Sequence, residues 1–82
     1  MGKFVVLDPG HGGSDPGAVS ADLREKDLTL KIAKRVRDTL QKYYQVTVKM
    51  TRTKDEGLSL KERTDYANRL KADYFCSIHI NA

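Results

Sequence analysis

The sequence predicts an α/β fold of three layers, in which three parallel strands and two helices alternate as β-α-β-α-β with strand order 2-1-3. Three observations carry this reading. Short apolar runs and long one-sided stretches alternate along all 82 residues. The first and last apolar runs are hydrophobic on both faces, as strands covered by helices are, whereas the middle run alternates and suits a sheet edge. Crossovers between parallel strands are right-handed almost without exception, which leaves few topologies for such a chain.

Each element has its own signature. "KFVVLD", residues 3–8, is too short for a helix and carries paired valines, so it reads as the first strand. Residues 9–21, with four glycines and two prolines, read as loop. From Asp27 to Tyr44, Leu28, Ile32, Val36 and Leu40 recur every four residues, and Ala33 and Tyr43 widen the stripe. Lys31, Lys34, Arg35, Arg37 and Asp38 fill the other faces, which is the pattern of an amphipathic helix. "QVTVKMTR" alternates Val46, Val48 and Met50 with polar residues, an edge strand, and "TKDEG" is a turn. Ser59 followed by Glu62 forms a capping-box pair at the start of a second helix, whose inward residues are Leu60, Ala67 and Leu70. "DYFCSIHI" predicts a central, covered third strand with Cys76 as a buried, inert thiol.

Composition bounds the function. A chain of 82 residues has room for one domain, residues 1–82. No run approaches the ~18 apolar residues of a membrane span, so membrane insertion is not expected. A strand-like run follows "MGK" at once, so no signal peptide is expected in this chain. The single cysteine excludes an internal disulfide. Net charge is +4, which favours anionic partners. The basic residues are spaced as on a solvated helix face, however, and neither a recognition helix nor aromatic-basic interleaving accompanies them. Nucleic acid is therefore not an expected partner.

The two histidines carry the chemistry. His11 lies in "VVLDPGHGGSDPG" just after the first strand, and His79 closes the apolar run of "YFCSIHINA". With order 2-1-3 a crevice opens at the C-terminal ends of strands 1 and 3, where α/β sheets bind ligands. Neighbouring strands lie about 4.8 Å apart, so both imidazoles can reach one atom. A catalytic zinc site takes three protein ligands and leaves one position open, and two histidines with a carboxylate is one such set. Asp15, Asp22, Glu25 and Asp27 are the candidate carboxylates. Glu25 sits where a helix N-terminus rises over the strand ends, but "DLRE" also scans as a capping box with Asp22 as cap, and spacing alone does not choose. Taken singly, His11 also reads as a loop histidine bonding its own turn and His79 as a core histidine bonded to backbone. Their joint position at one switch point favours ligation. A phosphate cradle lacks both the G-x-G-x-x-G fingerprint and the P-loop lysine. A hard-cation site on Asp8 and Asp15 lacks calcium-loop spacing.

In order along nearly the whole chain, "VVLDPGHGGSDPGA", "EKDLTLKIAKRV", "TRTKDEGLSLKERTDYAN" and "ADYFCSIHINA" resemble the successive motifs of zinc-dependent N-acetylmuramoyl-L-alanine amidases. The resemblance implies hydrolysis of the amide between N-acetylmuramic acid and L-alanine in peptidoglycan, zinc as cofactor, and a place in the cell envelope or outside the cell. It puts His11, Glu25 and His79 on the family's three zinc ligands. It also implies that the chain is the N-terminal half of a larger amidase sheet, with the general-base glutamate expected beyond residue 82. On that basis the chain is expected to bind zinc and to hydrolyse peptidoglycan weakly or not at all. The alternative is a non-catalytic zinc- or cell-wall-binding fragment, or a designed half-domain. In a half sheet the third strand becomes an exposed apolar edge, which invites self-association.

Overall fold

A computed structural model describes residues 2–80. Its elements are β1 (Lys3–Pro9), β2 (Val19–Ser20), β3 (Leu23–Arg24), α1 (Glu25–Tyr43), β4 (Val46–Met50), α2 (Leu60–Arg69) and β5 (Tyr74–Ile78). The main sheet is parallel and runs β4-β1-β5. Val5 pairs with Val48 on one side and Tyr74 on the other, and Leu7 with Met50 and Cys76. β1 is central because it can be buried on both faces: Val6 and Leu7 are 0% and 1% exposed. Beneath α1, Leu7, Val48, Met50 and Ala33 form the core, joined by Leu30, Val36 and Leu40.

Several local expectations change. A small antiparallel hairpin, β2–β3, occupies part of the stretch read as loop, and Ala21 turns it at φ 52. No Asn-Gly or Asp-Gly pair announced this turn. α1 begins at Glu25 with Arg24 as its N-cap, and no side chain caps it. Asp22 therefore does not cap the helix, which removes the capping alternative for Glu25. The buried face of α1 runs through Lys26, Thr29 and Ala33, while Ile32 is 40% exposed. Of the stripe read from the sequence, Ala33, Val36 and Leu40 face the core, while near the first turn two polar residues, Lys26 and Thr29, take the inward positions.

In α2 the capping box forms as expected: the Glu62 amide donates to Ser59 Oγ at 3.0 Å and the Ser59 amide to Glu62 Oε1 at 2.8 Å. Ala67 is buried as expected, but Leu60 is 80% exposed and Arg63 takes the inward place. β5 ends the sheet among the described residues, paired only with β1, as expected of a half sheet, and it is not covered as its composition alone suggested, since Tyr74 and Phe75 are exposed. Cys76 is exposed as well, so it is not a buried thiol. An apolar composition on both faces marks a strand suited to cover, but among the described residues only Ile78 of β5 packs against the core, and Tyr74 to Ser77 stay exposed. No described helix is long and apolar enough to cross a membrane.

Candidate metal centre

Three elements deliver one side chain each to the C-terminal end of the sheet. β1 stops at Pro9, and the next two residues turn the chain over the strand ends. His11 adopts φ 64, a left-handed conformation that a non-glycine residue keeps only when its surroundings enforce it. The enforcement is visible. Gly12 and Asp15 exchange backbone hydrogen bonds of 2.8 and 3.0 Å, and Arg63 Nη2 donates to the His11 carbonyl at 2.9 Å. Arg52, 2% exposed, donates to the carbonyls of Pro9, Gly10, Lys26 and Lys54. Its cationic fork thus supplies the donors that a glycine- and proline-rich loop cannot find in a sheet ladder.

Glu25 opens α1, and its carboxylate is fixed by two backbone amides. The Ala18 amide donates to Oε1 at 3.0 Å and the Ile80 amide to Oε2 at 2.8 Å. These bonds, Ala18's first, outweigh desolvation and hold the Glu25 carboxyl below its ordinary pKa, so it is an anion near neutral pH. His79 follows β5. The nearest polar atoms of the three side chains converge: His11 Nε2 lies 3.2 Å and His79 Nδ1 3.7 Å from Glu25 Oε2. The two rings meet edge to face with centroids 5.2 Å apart.

The far nitrogens are engaged elsewhere. His11 Nδ1 lies 2.8 Å from Asp15 Oδ2, and His79 Nε2 lies 3.0 Å from Ser77 Oγ. The Asp15 carboxyl is held below its ordinary pKa, chiefly by its bond with His11 and then by the Gly17 amide. An ionised carboxylate only accepts, so the His11 proton sits on Nδ1 and the Nε2 lone pair faces Glu25. Ligand atoms of all three residues lie within 4.8 Å of one another. Acceptors brought this close without a donor between them call for a shared cation or a proton, and the nitrogen-oxygen donor set suits zinc. Both histidines also carry outward hydrogen bonds of the kind that orient metal-ligating imidazoles.

Of the four carboxylates weighed from the sequence, only Glu25 joins both histidines. Asp15 stands behind His11, Asp22 lies in the hairpin turn, and Asp27 pairs with Arg24 at 3.0 Å. Sequence reasoning missed Arg63, Arg52 and Ser77, and weighed Asp8 only as a hard-cation ligand. Asp8 is 3% exposed and accepts from Arg63 Nη1 at 2.8 Å, Thr51 at 2.7 Å and Ser77 at 2.7 Å. Burial alone would raise its pKa, but the bonds from Arg63, Ser77 and Thr51 prevail and hold it below the ordinary value. One signal for Arg63 was present: Leu60, Arg63, Ala67 and Leu70 share helical spacing, which put an arginine on the stripe read as inward. Beside the histidines a groove of about 290 Å³ opens, bounded by Leu58 and Leu60.

The chain is similar to known proteins along nearly its whole length. The family model Amidase_3, N-acetylmuramoyl-L-alanine amidase, matches residues 5–82. The endolysin of Bacillus phage SPP1 is 50% identical over 82 residues, covering 100% of this chain and 30% of that protein. The sporulation-specific N-acetylmuramoyl-L-alanine amidase of Bacillus subtilis is 49% identical over 79 residues, covering 95% of this chain and 31% of that protein. Among solved structures, the N-acetylmuramoyl-L-alanine amidase from Clostridium difficile 630 superposes with a TM-score of 0.94 at 44% identity, over 98% of this chain and 44% of that one. The chain thus spans about a third of the length of the curated relatives it matches and under half of that solved chain. It belongs to the N-acetylmuramoyl-L-alanine amidase family.

Proposed function

We propose that this chain carries the metal centre of a zinc-dependent hydrolase that cuts the amide between N-acetylmuramic acid and L-alanine in peptidoglycan, at the cell envelope. The observation that supports it is the convergence of His11 Nε2, His79 Nδ1 and Glu25 Oε2, while Asp15 and Ser77 engage the other imidazole nitrogens. His11, Glu25 and His79 would hold the metal. When bound, zinc supplies Lewis acidity, polarising the scissile carbonyl and making a water more acidic.

The chain's own residues do the rest of the positioning. The groove beside His11 and His79, walled by Leu58 and Leu60, lets a glycan-peptide strand bring its amide to the histidines. Backbone amides of Ala18 and Ile80 keep Glu25 ionised and aimed. Nearby carboxylates among the described residues are committed to other partners: Asp15 to His11 and Gly17, and Asp8 to Arg63, Thr51 and Ser77. The family resemblance implies that the general base is a glutamate beyond residue 82. Without a positioned base, hydrolysis slows by about 10²–10⁴-fold.

Elemental analysis after dialysis against metal-free buffer tests the centre. About one zinc per chain, lost in His79→Ala, is expected from a three-ligand site. Peptidoglycan incubated with the zinc-loaded chain is expected to release new alanine amino groups slowly or not at all. No zinc in the parent chain refutes the metal assignment. Release at the rate of a full-length family member refutes the assignment of the base.

A further inference from the structure

Asp8 is a buried acid at the end of β1, outside the cluster of His11, Glu25 and His79. Its Oδ1 accepts from Arg63 and Thr51, and its Oδ2 lies 2.7 Å from Ser77 Oγ. Ser77 Oγ in turn lies 3.0 Å from His79 Nε2. Proton accounting along this line has one solution. An ionised carboxylate only accepts, so the Ser77 hydroxyl spends its single hydrogen on Asp8. Toward His79 it has only a lone pair, and Nε2 must be the protonated nitrogen. The Nδ1 lone pair is then directed at Glu25 Oε2, 3.7 Å away.

We infer that Asp8 is a positioning residue that selects the tautomer of His79 through the Ser77 hydroxyl and so orders the imidazole for a metal. The inference rests on the metal centre proposed above. Three features support it beyond the distances. The Asp8–Arg63 pair is buried, with side chains 5% and 6% exposed, so the charge at the head of the line is not free to reorient. Arg63 also donates to the Pro9 and His11 carbonyls, which fixes the same ion pair against the backbone that bears the second histidine. His79 itself is the more exposed of the two rings, 48% against 25% for His11, and among the described residues has no direct carboxylate partner at its far nitrogen. His11 has Asp15 there. The relay through Ser77 is what gives His79 the equivalent support.

The test reads the tautomer directly. In the zinc-free chain at a pH where the ring is neutral, long-range ¹H–¹⁵N correlation distinguishes Nε2–H from Nδ1–H. The parent chain is expected to show Nε2–H at His79. Ser77→Ala is expected to show a mixture of tautomers and to bind zinc about 10–100-fold more weakly, as losses of outer hydrogen-bond partners do. Ser77→Thr, which restores the hydroxyl, is expected to recover both. Asp8→Asn is expected to favour Nδ1–H, because an amide donating to Ser77 Oγ turns the hydroxyl's hydrogen toward His79. Circular dichroism checks that each variant is folded, and Ser77→Ala carries the decision if Asp8→Asn is not. A parent-like tautomer in Ser77→Ala overturns the inference. Zinc binding that is unaffected by His79→Ala overturns the metal centre instead, and the zinc-free spectra still decide the role of Asp8.

Discussion

At the residue scale, the convergence of three ligands is made possible by atoms that are missing. A Cβ built on Gly10 falls 2.5 Å from His79 Cε1, 2.6 Å from Nδ1 and 2.9 Å from the Ile78 carbonyl. One on Gly17, which has φ 69, falls 2.6 Å from His11 Cδ2 and 2.8 Å from the Glu25 side chain. The glycines were legible in the sequence as a loop able to turn sharply, but not as the space in which the imidazoles stand. Gly10→Ala is expected to displace His79, to weaken zinc binding at least tenfold and to cost about 1–3 kcal/mol of stability, as overpacking does. Gly17→Ala adds a left-handed backbone penalty of about 1 kcal/mol or more. Gly57→Ala is the control, since its nearest contact is 3.4 Å. Paired zinc titration and urea unfolding read the two effects, and equal zinc affinity in Gly10→Ala and Gly57→Ala refutes the argument. Arg52, Arg63 and Asp8 were not legible for a different reason. A buried charge is identified by its partners, and Arg52 reaches Gly10 42 positions away and Arg63 reaches Asp8 55 positions away, beyond the reach of any local pattern.

At the scale of elements, periodicity located the three sheet strands and both helices. It erred where an element's surroundings decide the outcome. The stripe on α1 held at Ala33, Val36 and Leu40 but not in the first turns, because Lys26 and Thr29 use polar groups to pack at the site, Thr29 Oγ1 bonding the Gly10 carbonyl at 2.8 Å and Lys26 Nζ the Gly13 carbonyl and Asp55 at 2.9 Å each. The hairpin β2–β3 was missed because its turn residue is an alanine. β5 reads as covered by composition, yet it is an edge with Tyr74 and Phe75 exposed. One side of β5 pairs with β1, and the other offers backbone donors and acceptors to any strand that fits. Pairing of two chains through β5 is the expected outcome, seen as a dimer by sedimentation at about 100 μM, within the range where exposed edges associate. Phe75→Lys is expected to shift the chain to monomer by placing a charge on that edge. A parent chain that sediments as a monomer at that concentration refutes this pairing.

At the scale of the whole molecule, the proposed ligands tie together the ends of the described chain. His11 follows the first strand, Glu25 opens the first helix and His79 follows the last strand, so a metal that binds them links segments separated by up to 68 positions. A small chain buries only about 60–65% of the surface its unfolded form exposes and has little stability in reserve. Binding to the folded state alone adds about 2.7 kcal/mol when free metal is a hundred times the dissociation constant. Each kcal/mol moves the melting temperature of a domain this size by about 4–8 °C, so chelation is expected to lower it by about 10–20 °C. Acid removes two contributions to this stability. The Asp8 carboxyl lies below its reference value of 3.8 in the fold. Its stabilisation is therefore complete above that value and is lost as pH falls through the lower, folded one. Metal binding is lost on acidification as well, because protons compete with the metal for its ligands. Melting curves with zinc are expected to lie above those with chelator at neutral pH and to meet them on acidification. The limb they then share is expected to be shallower in Asp8→Asn. Curves that coincide at every pH would show that the fold stands without the metal, and the histidines would then be held by their hydrogen bonds to Asp15 and Ser77 alone.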